Sequence, residues 1–521
     1  MSGTSEAVEV VVVGAGAAGS LFAAKLAQAG RKVLVLDAGP DWTIGDLKSS
    51  QIWARRLKWG GPPVTSAAPT GHGISFGWGM GGAALHHYAS WPRPTADTFR
   101  LRTLYGHDLD WPVTYEQLRP YYDRIQDEIG ISGDAAAEPW RPPGAAYPMP
   151  PLRTFKGGEV LRKGFEAVGL PVAPLPAAIN TVWRNNRAPC LYDGWCDAGC
   201  PIGSLANPLV THIPAAQEAG AEFRARAIVT RIETDARGRA TGVSYLDVKG
   251  ERRFVAAEVV VLASSVMQNP RLMLASTGPR HPRGISNGND LVGRYLSIEP
   301  GAHVFGLFGE ETEPHMGVNA GQLMHRKAHR DGSARPDGGY QWQIAPAMKP
   351  NDIFGVAFTR QDLFGKALDT FIRRAAKHTA SLAGFAAGEA DPANRVLLGS
   401  RADAWGLPQV EVRHRPGERS TTLWKHMIAE GLTVMRRAGA TEAWNAPMDA
   451  GHVTGGTIMG TDPSNSVTDS YGRAWEAPNV VVAGAGLFPT NGGTSPTYTL
   501  YAAGLRSVER LIGAWKEYAA A

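Results

Sequence analysis

Hydrophobic residues gather in short β-branched runs near both ends of the chain and fall at helical spacing in between. Val8-Glu9-Val10-Val11-Val12-Val13 is nearly continuous, the pattern of a strand buried on both faces of a parallel sheet. Gly14-Ala15-Gly16-Ala17-Ala18-Gly19 follows at once. An alanine-rich stretch with Leu21 and Leu26 then ends at Gly30, and a second apolar run over 32–36 closes on Asp37-Ala38-Gly39. These segments predict a complete βαβ unit. Leu118, Tyr121, Tyr122, Ile125 and Ile129 predict an amphipathic helix stopped at Gly130. Residues 134–151, rich in Ala and Pro, predict a surface connection. Strands are expected over 227–234 and 242–247, as a hairpin around Arg237-Gly238, and over 259–263 as another buried parallel strand. Further strand patterns lie at 341–344 and 410–412, with a long helix near 422–437. A last buried strand at 480–482 enters the turn Ala483-Gly484-Ala485-Gly486.

The glycine spacing adds chemistry to the first unit. Gly14 and Gly16 let the backbone turn and approach a pyrophosphate, Gly19 lets helix pack on strand, and the helix N-terminus offers N–H donors. Asp37, at the end of the second strand, is placed to bind ribose hydroxyls. The unit therefore predicts an adenine dinucleotide, held at Gly14, Gly16, Ala17, Ala18, Gly19, Asp37 and Ala38. Since parallel strands recur at 259–263 and 480–482, the fold class expected is α/β. It comprises a discontinuous Rossmann-like domain (1–105, 200–299 and 446–521), a segment over 106–199, and an α+β substrate domain on an antiparallel sheet (300–445).

Composition changes this picture little. The chain has 62 glycines in 521 residues, against an ordinary share of about 7%, in keeping with many tight turns. A net charge of +5 with interspersed signs gives no nucleic-acid footprint. No apolar stretch reaches the ~20 residues of a transmembrane helix, and the first residues lack a basic export signal. The three cysteines, Cys190, Cys196 and Cys200, fall within eleven residues. An odd, clustered set reads as metal ligands rather than as a disulfide framework. Zinc would need a fourth donor, for which His212 is a candidate; an iron–sulfur cluster is the other reading.

Several ordered blocks resemble the glucose–methanol–choline (GMC) oxidoreductases. Besides the first unit, they are Gly77-Trp78-Gly79-Met80-Gly81-Gly82, Asp110-Trp111-Pro112, and Ser265-Val266-Met267-Gln268-Asn269-Pro270-Arg271-Leu272. The C-terminal ones are His452-Val453-Thr454-Gly455-Gly456-Thr457 and Gly492-Gly493-Thr494-Ser495-Pro496-Thr497. The resemblance implies FAD, with further contacts at Gly77, Gly79, Gly81, Gly82, His86, Val229 and Gly486. A histidine matching His86 carries a covalent flavin link in pyranose oxidases; here a flavin-face contact is the expectation. His452, read as a side chain projecting from a loop, is the expected base for oxidation of an alcohol. The family's second active-site group is commonly Asn or His, and Ser495 stands there instead, with Asn491 nearby as a substitute.

The cysteine segment is similar to that of the FAD-dependent catalytic subunits of bacterial sugar and polyol dehydrogenases, where three cysteines hold a [3Fe–4S] cluster. That likeness implies a sugar, polyol or glycoside substrate and electron exit to a cytochrome c or other acceptor. It also implies a small chaperone-like subunit carrying the export signal, and hence the periplasmic face of the inner membrane; a cytoplasmic enzyme is the alternative. An oxygen-using oxidase of aryl or other hydrophobic alcohols and a non-catalytic flavin electron-transfer subunit are the competing readings.

Overall fold

In a computed structural model, which describes residues 6–61, 64–66, 74, 77–330 and 335–519, the valine run is strand β1 (Glu6–Val13). It leads into helix α1 (Ala17–Gln28) and strand β2 (Val33–Leu36). β1 pairs in parallel with β2 and, on its other side, with Arg252–Leu262. Val480–Val482 also joins Arg252–Leu262 in parallel, and Glu222–Arg224 extends the sheet beyond β2. The expected hairpin (Ile228–Thr234 and Ala240–Leu246) completes the seven strands as an antiparallel edge. Val10, Val11 and Val12 have no exposed surface, as a strand covered on both faces requires.

α1 lies on this sheet because two glycines permit it. Gly14 turns the chain at a φ of 101°, in the region favoured by glycine. A β-carbon on Gly19 would stand 1.9 Å from the Gly14 carbonyl oxygen, so only glycine lets the helix approach this closely. Leu21, Phe22 and Leu26 are fully buried. Glu128, on the helix Tyr115–Ile129, ties α1 to two neighbours. It accepts from Lys25 Nζ at 2.9 Å and bonds His212 Nε2 at 3.0 Å.

Burial raises the Glu128 carboxyl, and the contacts with His212 and Lys25 outweigh it, leaving it lowered to about 2. A carboxyl depressed in the folded state adds stability above its unfolded value of about 4.3. That stability is lost as pH falls through the folded value. Glu128→Gln is therefore expected to lower Tm at pH 7 and to flatten the decline of Tm between about pH 4.5 and 2. Calorimetry across that range checks it; parallel Tm curves for the two proteins would show that the carboxylate adds no acid-sensitive stability.

The second sheet is antiparallel throughout, in the order Glu442–Asn445, Ser297–Leu307, Thr379–Ala386, Tyr340–Ile344, Leu323–Lys327 and Ala173–Pro174. Asp449–Thr454 also pairs with Ser297–Leu307. The helix Glu418–Arg437 covers it, burying Leu423, Met427 and Val434. A third, small sheet contains the hairpin Arg395–Ala402/Pro408–Arg413. Residues 134–151 form no helix or strand, but they are more than a surface connection. Glu138 and Met149 are buried there, and burial pushes the Glu138 carboxyl up to about 7. Among the described residues no helix is long and apolar enough to cross a membrane.

Candidate active site

A cleft of ≈ 280 Å³ opens where β1, α1 and the parallel strands end. Gly14, Gly16, Ala17, Ala18, Asp37, Ala38, Gly77, Gly79, Gly82, Val229 and Gly486 all line it, as expected from the sequence. Gly16 is the N-cap of α1, with no side chain satisfying the first N–H groups. A β-carbon there would meet nothing nearer than the Gly82 Cα at 3.9 Å. Bare backbone and the positive end of a buried helix thus face open space, which suits a pyrophosphate. Asp37 accepts from the backbone of Ala15 and Gly39, each at 2.9 Å. Its carboxyl is raised by burial against those bonds, and it faces the cleft as a ribose ligand would.

Three expected contacts lie off this lining. Gly19 serves helix packing. Gly81, at a φ of 91°, has no room for a β-carbon beside Leu85. His86 follows the tight turn Gly82–Leu85 and is not among the residues that line the cleft. Its Nε2 is buried without a hydrogen bond, and burial, then the charges of Lys58 and His87, bring it down to about 3.

The sequence did not reveal the opposite wall. Trp405 and Leu407, between the strands Arg395–Ala402 and Pro408–Arg413, reach across from the third sheet to line the cleft. Trp405 stacks on Trp78 with ring centroids 5.6 Å apart. Arg271 pairs with Asp403, both side chains under one-tenth exposed, and donates through Nε to the Pro408 carbonyl at 2.6 Å. Breaking a buried pair from one side costs about 3–5 kcal/mol. Asp403→Asn is thus expected to loosen this hairpin and speed FAD release. Recovery of flavin fluorescence on dilution measures it; a release rate equal to wild type, with only Tm lowered, would remove the hairpin from cofactor retention.

His452 lies not in a loop but on the strand Asp449–Thr454, whose register shifts between Ala450 and Val453. The following Gly455 and Gly456, at φ of 81° and 85°, end the strand, and this glycine pair suggested a loop. His452 Nδ1 lies 2.7 Å from Glu299 Oε2, and Phe385 packs against the imidazole with centroids 4.6 Å apart. Glu299 is fully buried and its other oxygen accepts the Thr494 N–H at 3.1 Å. Burial raises the Glu299 carboxyl, while the His452 contact and the Thr494 N–H hold it down. A Glu299 carboxylate in this position would take its bond from a proton on His452 Nδ1. Nε2 then carries the lone pair and, among the described residues, takes no protein hydrogen bond. Glu299 was missed in the sequence; a single acid inside the apolar strand Ser297–Leu307 was its signal.

Thr494 and His452 thus share Glu299, which brings Ser495 into the same site. Ser495 is buried, with Gln341 Nε2 donating to its Oγ at 3.1 Å. Asn491 is consumed by structure, since Nδ2 donates to Ser297 Oγ at 2.9 Å and Oδ1 accepts the Gly388 N–H at 3.0 Å.

The three cysteines are free thiols. Each sulfur accepts a backbone N–H: Cys190 from Tyr192 at 3.3 Å, Cys196 from Asn319 and Cys200 from Leu205, both at 3.4 Å. Burial raises all three, Cys190 to about 12; the charges of neighbouring cysteines push Cys190 and Cys196 further up, and that of Asp193 pushes Cys200 up. Among the described residues no three His, Cys, Asp or Glu side chains converge to hold a single metal ion. Zinc needs four donors around one point, and His212, its candidate fourth, is engaged by Glu128.

A dinucleotide cleft at the carboxyl ends of a parallel sheet, joined through the Gly455 and Thr457 N–H groups on the Ala485 and Gly486 carbonyls to an antiparallel sheet that carries a glutamate–histidine pair, is the arrangement expected of a flavin-dependent oxidoreductase. The comparisons agree. The two GMC oxidoreductase family models match residues 10–300 and 390–504, and the chain belongs to the GMC oxidoreductase family, as an FAD-dependent enzyme acting on CH–OH donors. It is 30% identical to the fructose dehydrogenase large subunit of Gluconobacter japonicus, over 99% of this chain and 100% of that one. It is also 30% identical to the 2-methyl-1,2-propanediol dehydrogenase of Mycolicibacterium austroafricanum, over 97% and 95%. Pyridoxine 4-oxidase from Mesorbium loti, a solved structure, has the same fold. Its TM-score is 0.68 at 16% identity, covering 96% of this chain and 99% of that one.

Proposed function

We propose that the protein oxidises a CH–OH group of a sugar, polyol or glycoside, with His452 as the base. We further propose that the electrons leave through a [3Fe–4S] cluster on Cys190, Cys196 and Cys200 to a partner acceptor. The observation that carries the first part is the 2.7 Å contact of His452 Nδ1 with buried Glu299. It fixes the imidazole tautomer, directs the Nε2 lone pair to the substrate hydroxyl, and stabilises the imidazolium that forms when the proton arrives. FAD, when bound in the cleft, supplies the acceptor for the hydride. The buried hydroxyl of Ser495 favours a hydroxylated substrate, because a site built to hydrogen-bond substrate hydroxyls rejects analogues that lack them. The fructose dehydrogenase relative supports the same class.

For the cluster, the donor set fits. On iron the three sulfurs would be thiolates whose mutual repulsion the metal offsets, and backbone N–H groups at sulfur are the bonds that tune such clusters. In a cuboidal cluster each cysteine binds its own iron, so the three sulfurs need not meet at one point. Trp183, Leu191 and Ile202 are exposed around this segment, apolar surface of the sort an acceptor protein would cover. A relative described as a large subunit supports such an assembly; a place at the periplasmic face of the inner membrane is part of the same proposal.

Purified protein tests both parts. Anaerobic flavin bleaching by D-fructose, D-glucose or D-sorbitol, with about three irons per chain, is the expected result. Bleaching by aryl alcohols alone with fast reoxidation by dioxygen would replace the dehydrogenase reading by the oxidase one. Stoichiometric zinc without iron would overturn the electron route.

A further inference from the structure

Ser495 does not stand alone at the position where it replaces a longer side chain. Gln341 Nε2 donates to Ser495 Oγ at 3.1 Å, while the Ser495 N–H faces Gln341 Oε1 at 3.5 Å. Both residues are buried, Gln341 completely. The second contact orients the amide, so that its nitrogen, not its oxygen, meets the hydroxyl. A hydroxyl has one proton and two acceptor sites. With one site filled by Gln341, the Ser495 proton is free, and among the described residues no group accepts it.

The placement of Gln341 follows from sheet register. It sits opposite Arg326 on one neighbouring strand and opposite Phe385 on the other, so the three side chains form one row on one face. Each member of the row touches the catalytic loops. Arg326 Nη2 donates to Thr494 Oγ1 at 2.6 Å, Gln341 holds Ser495, and Phe385 packs on His452. Thr494 and His452 meet on the two oxygens of Glu299. Ser495 and His452 are thus held from adjacent positions of one row of the sheet.

We infer that Gln341 is a positioning residue that presents the Ser495 O–H as a hydrogen-bond donor to the carbinol oxygen of the substrate. The serine–glutamine pair does together what one longer amide or imidazole would do from position 495. The inference rests on the reading of His452 as the base. As the carbinol proton passes to His452 Nε2, negative charge grows on the oxygen, and a donor aimed there strengthens most in the transition state. Donation from Gln341 into Oγ polarises the hydroxyl and adds to that strength.

Flavin reduction in anaerobic stopped flow tests this, using whichever of D-fructose, D-sorbitol and benzyl alcohol reduces the wild-type holoenzyme fastest. Ser495→Ala is expected to slow reduction about 10²-fold, with the FAD content and the substrate concentration at half-saturation little changed. Gln341→Leu is expected to slow it less, and the double variant to be no slower than Ser495→Ala, because Gln341 acts through the serine. Should Gln341→Leu fail to hold FAD, Gln341→Asn withdraws the amide by one methylene and takes its place. Gln341→Glu keeps the shape, but its carboxylate can only accept, so it draws the serine proton away from substrate. Its rate is expected to fall at neutral pH and to rise again relative to wild type as pH is lowered and the new carboxyl regains a proton. Multiplicative losses in the double variant, or a Gln341→Glu pH profile parallel to wild type, would overturn the inference. His452→Ala, run alongside, separates the two claims. Unimpaired reduction there removes the base assignment, whereas its loss together with an unimpaired Ser495→Ala removes only the role of the pair.

Discussion

Replacing His452 by alanine is expected to slow reduction of the bound flavin by substrate about 10²–10⁴-fold, the contribution of a well-placed general base. The FAD content should stay at the wild-type level. The side chain is not part of the cleft lining that holds the dinucleotide, so the loss should fall on chemistry and not on cofactor binding. Glu299→Gln should give a smaller loss, because a neutral amide can still orient the ring but no longer stabilises the imidazolium. Stopped-flow bleaching of the flavin, with FAD measured by absorbance, checks both. A His452→Ala enzyme that bleaches at the wild-type rate would show that the hydroxyl proton leaves by another path. A holoenzyme stripped of FAD by the substitution would instead show that the strand Asp449–Thr454 shapes the cleft.

The second large effect is expected at Cys196. This sulfur is the most enclosed of the three, and burial drives its thiol well above the ordinary range. Cys196→Ser is expected to remove most of the iron and to abolish electron delivery to a cytochrome or to a one-electron dye, while anaerobic bleaching of flavin by substrate persists. That split between intact reduction and lost delivery is what a relay downstream of the flavin produces. Equal loss of both would mean that the segment supports the active site itself. Iron analysis and paired half-reaction rates distinguish the two outcomes.

The parts of this enzyme that could be read from its sequence are those in which neighbours along the chain are also neighbours in space. The βαβ unit is of this kind: β1, the glycine turn, α1 and Asp37 follow one another within forty residues, and six of its expected cofactor contacts, Gly14, Gly16, Ala17, Ala18, Asp37 and Ala38, line the cleft. The helix Tyr115–Ile129 announces itself through Thr114, which caps it with Gln117, and through Gly130, at a φ of 80°, which ends it. His452 was recognisable from its motif, but its strand was not, because the pairing that defines it is with Ser297–Leu307, about 150 residues away. The same distance hides Glu299, whose meaning depends on a histidine 153 positions later. Gln341 looks like an ordinary polar residue in an alternating strand until register places it under Ser495. Asn491 illustrates the reverse: its residue type suits the chemistry, yet both ends of its amide are spent on Ser297 and Gly388. His86 matches a family position, but the turn that precedes it places its ring off the cleft.

The Trp405 hairpin also bears on how the enzyme is made. The glycine turn, α1 and Asp37 of the cofactor cleft come from the first forty residues, whereas the wall carrying Trp405 and Leu407 comes from the last quarter of the chain. During synthesis, a dinucleotide that reaches the early half finds a cleft open on one side and can leave again. Tight capture waits until the hairpin has been made and has folded back onto Arg271. FAD bound there would touch segments far apart in sequence, so its binding energy would stabilise the junction between the first and third sheets as well as the domain that first receives it.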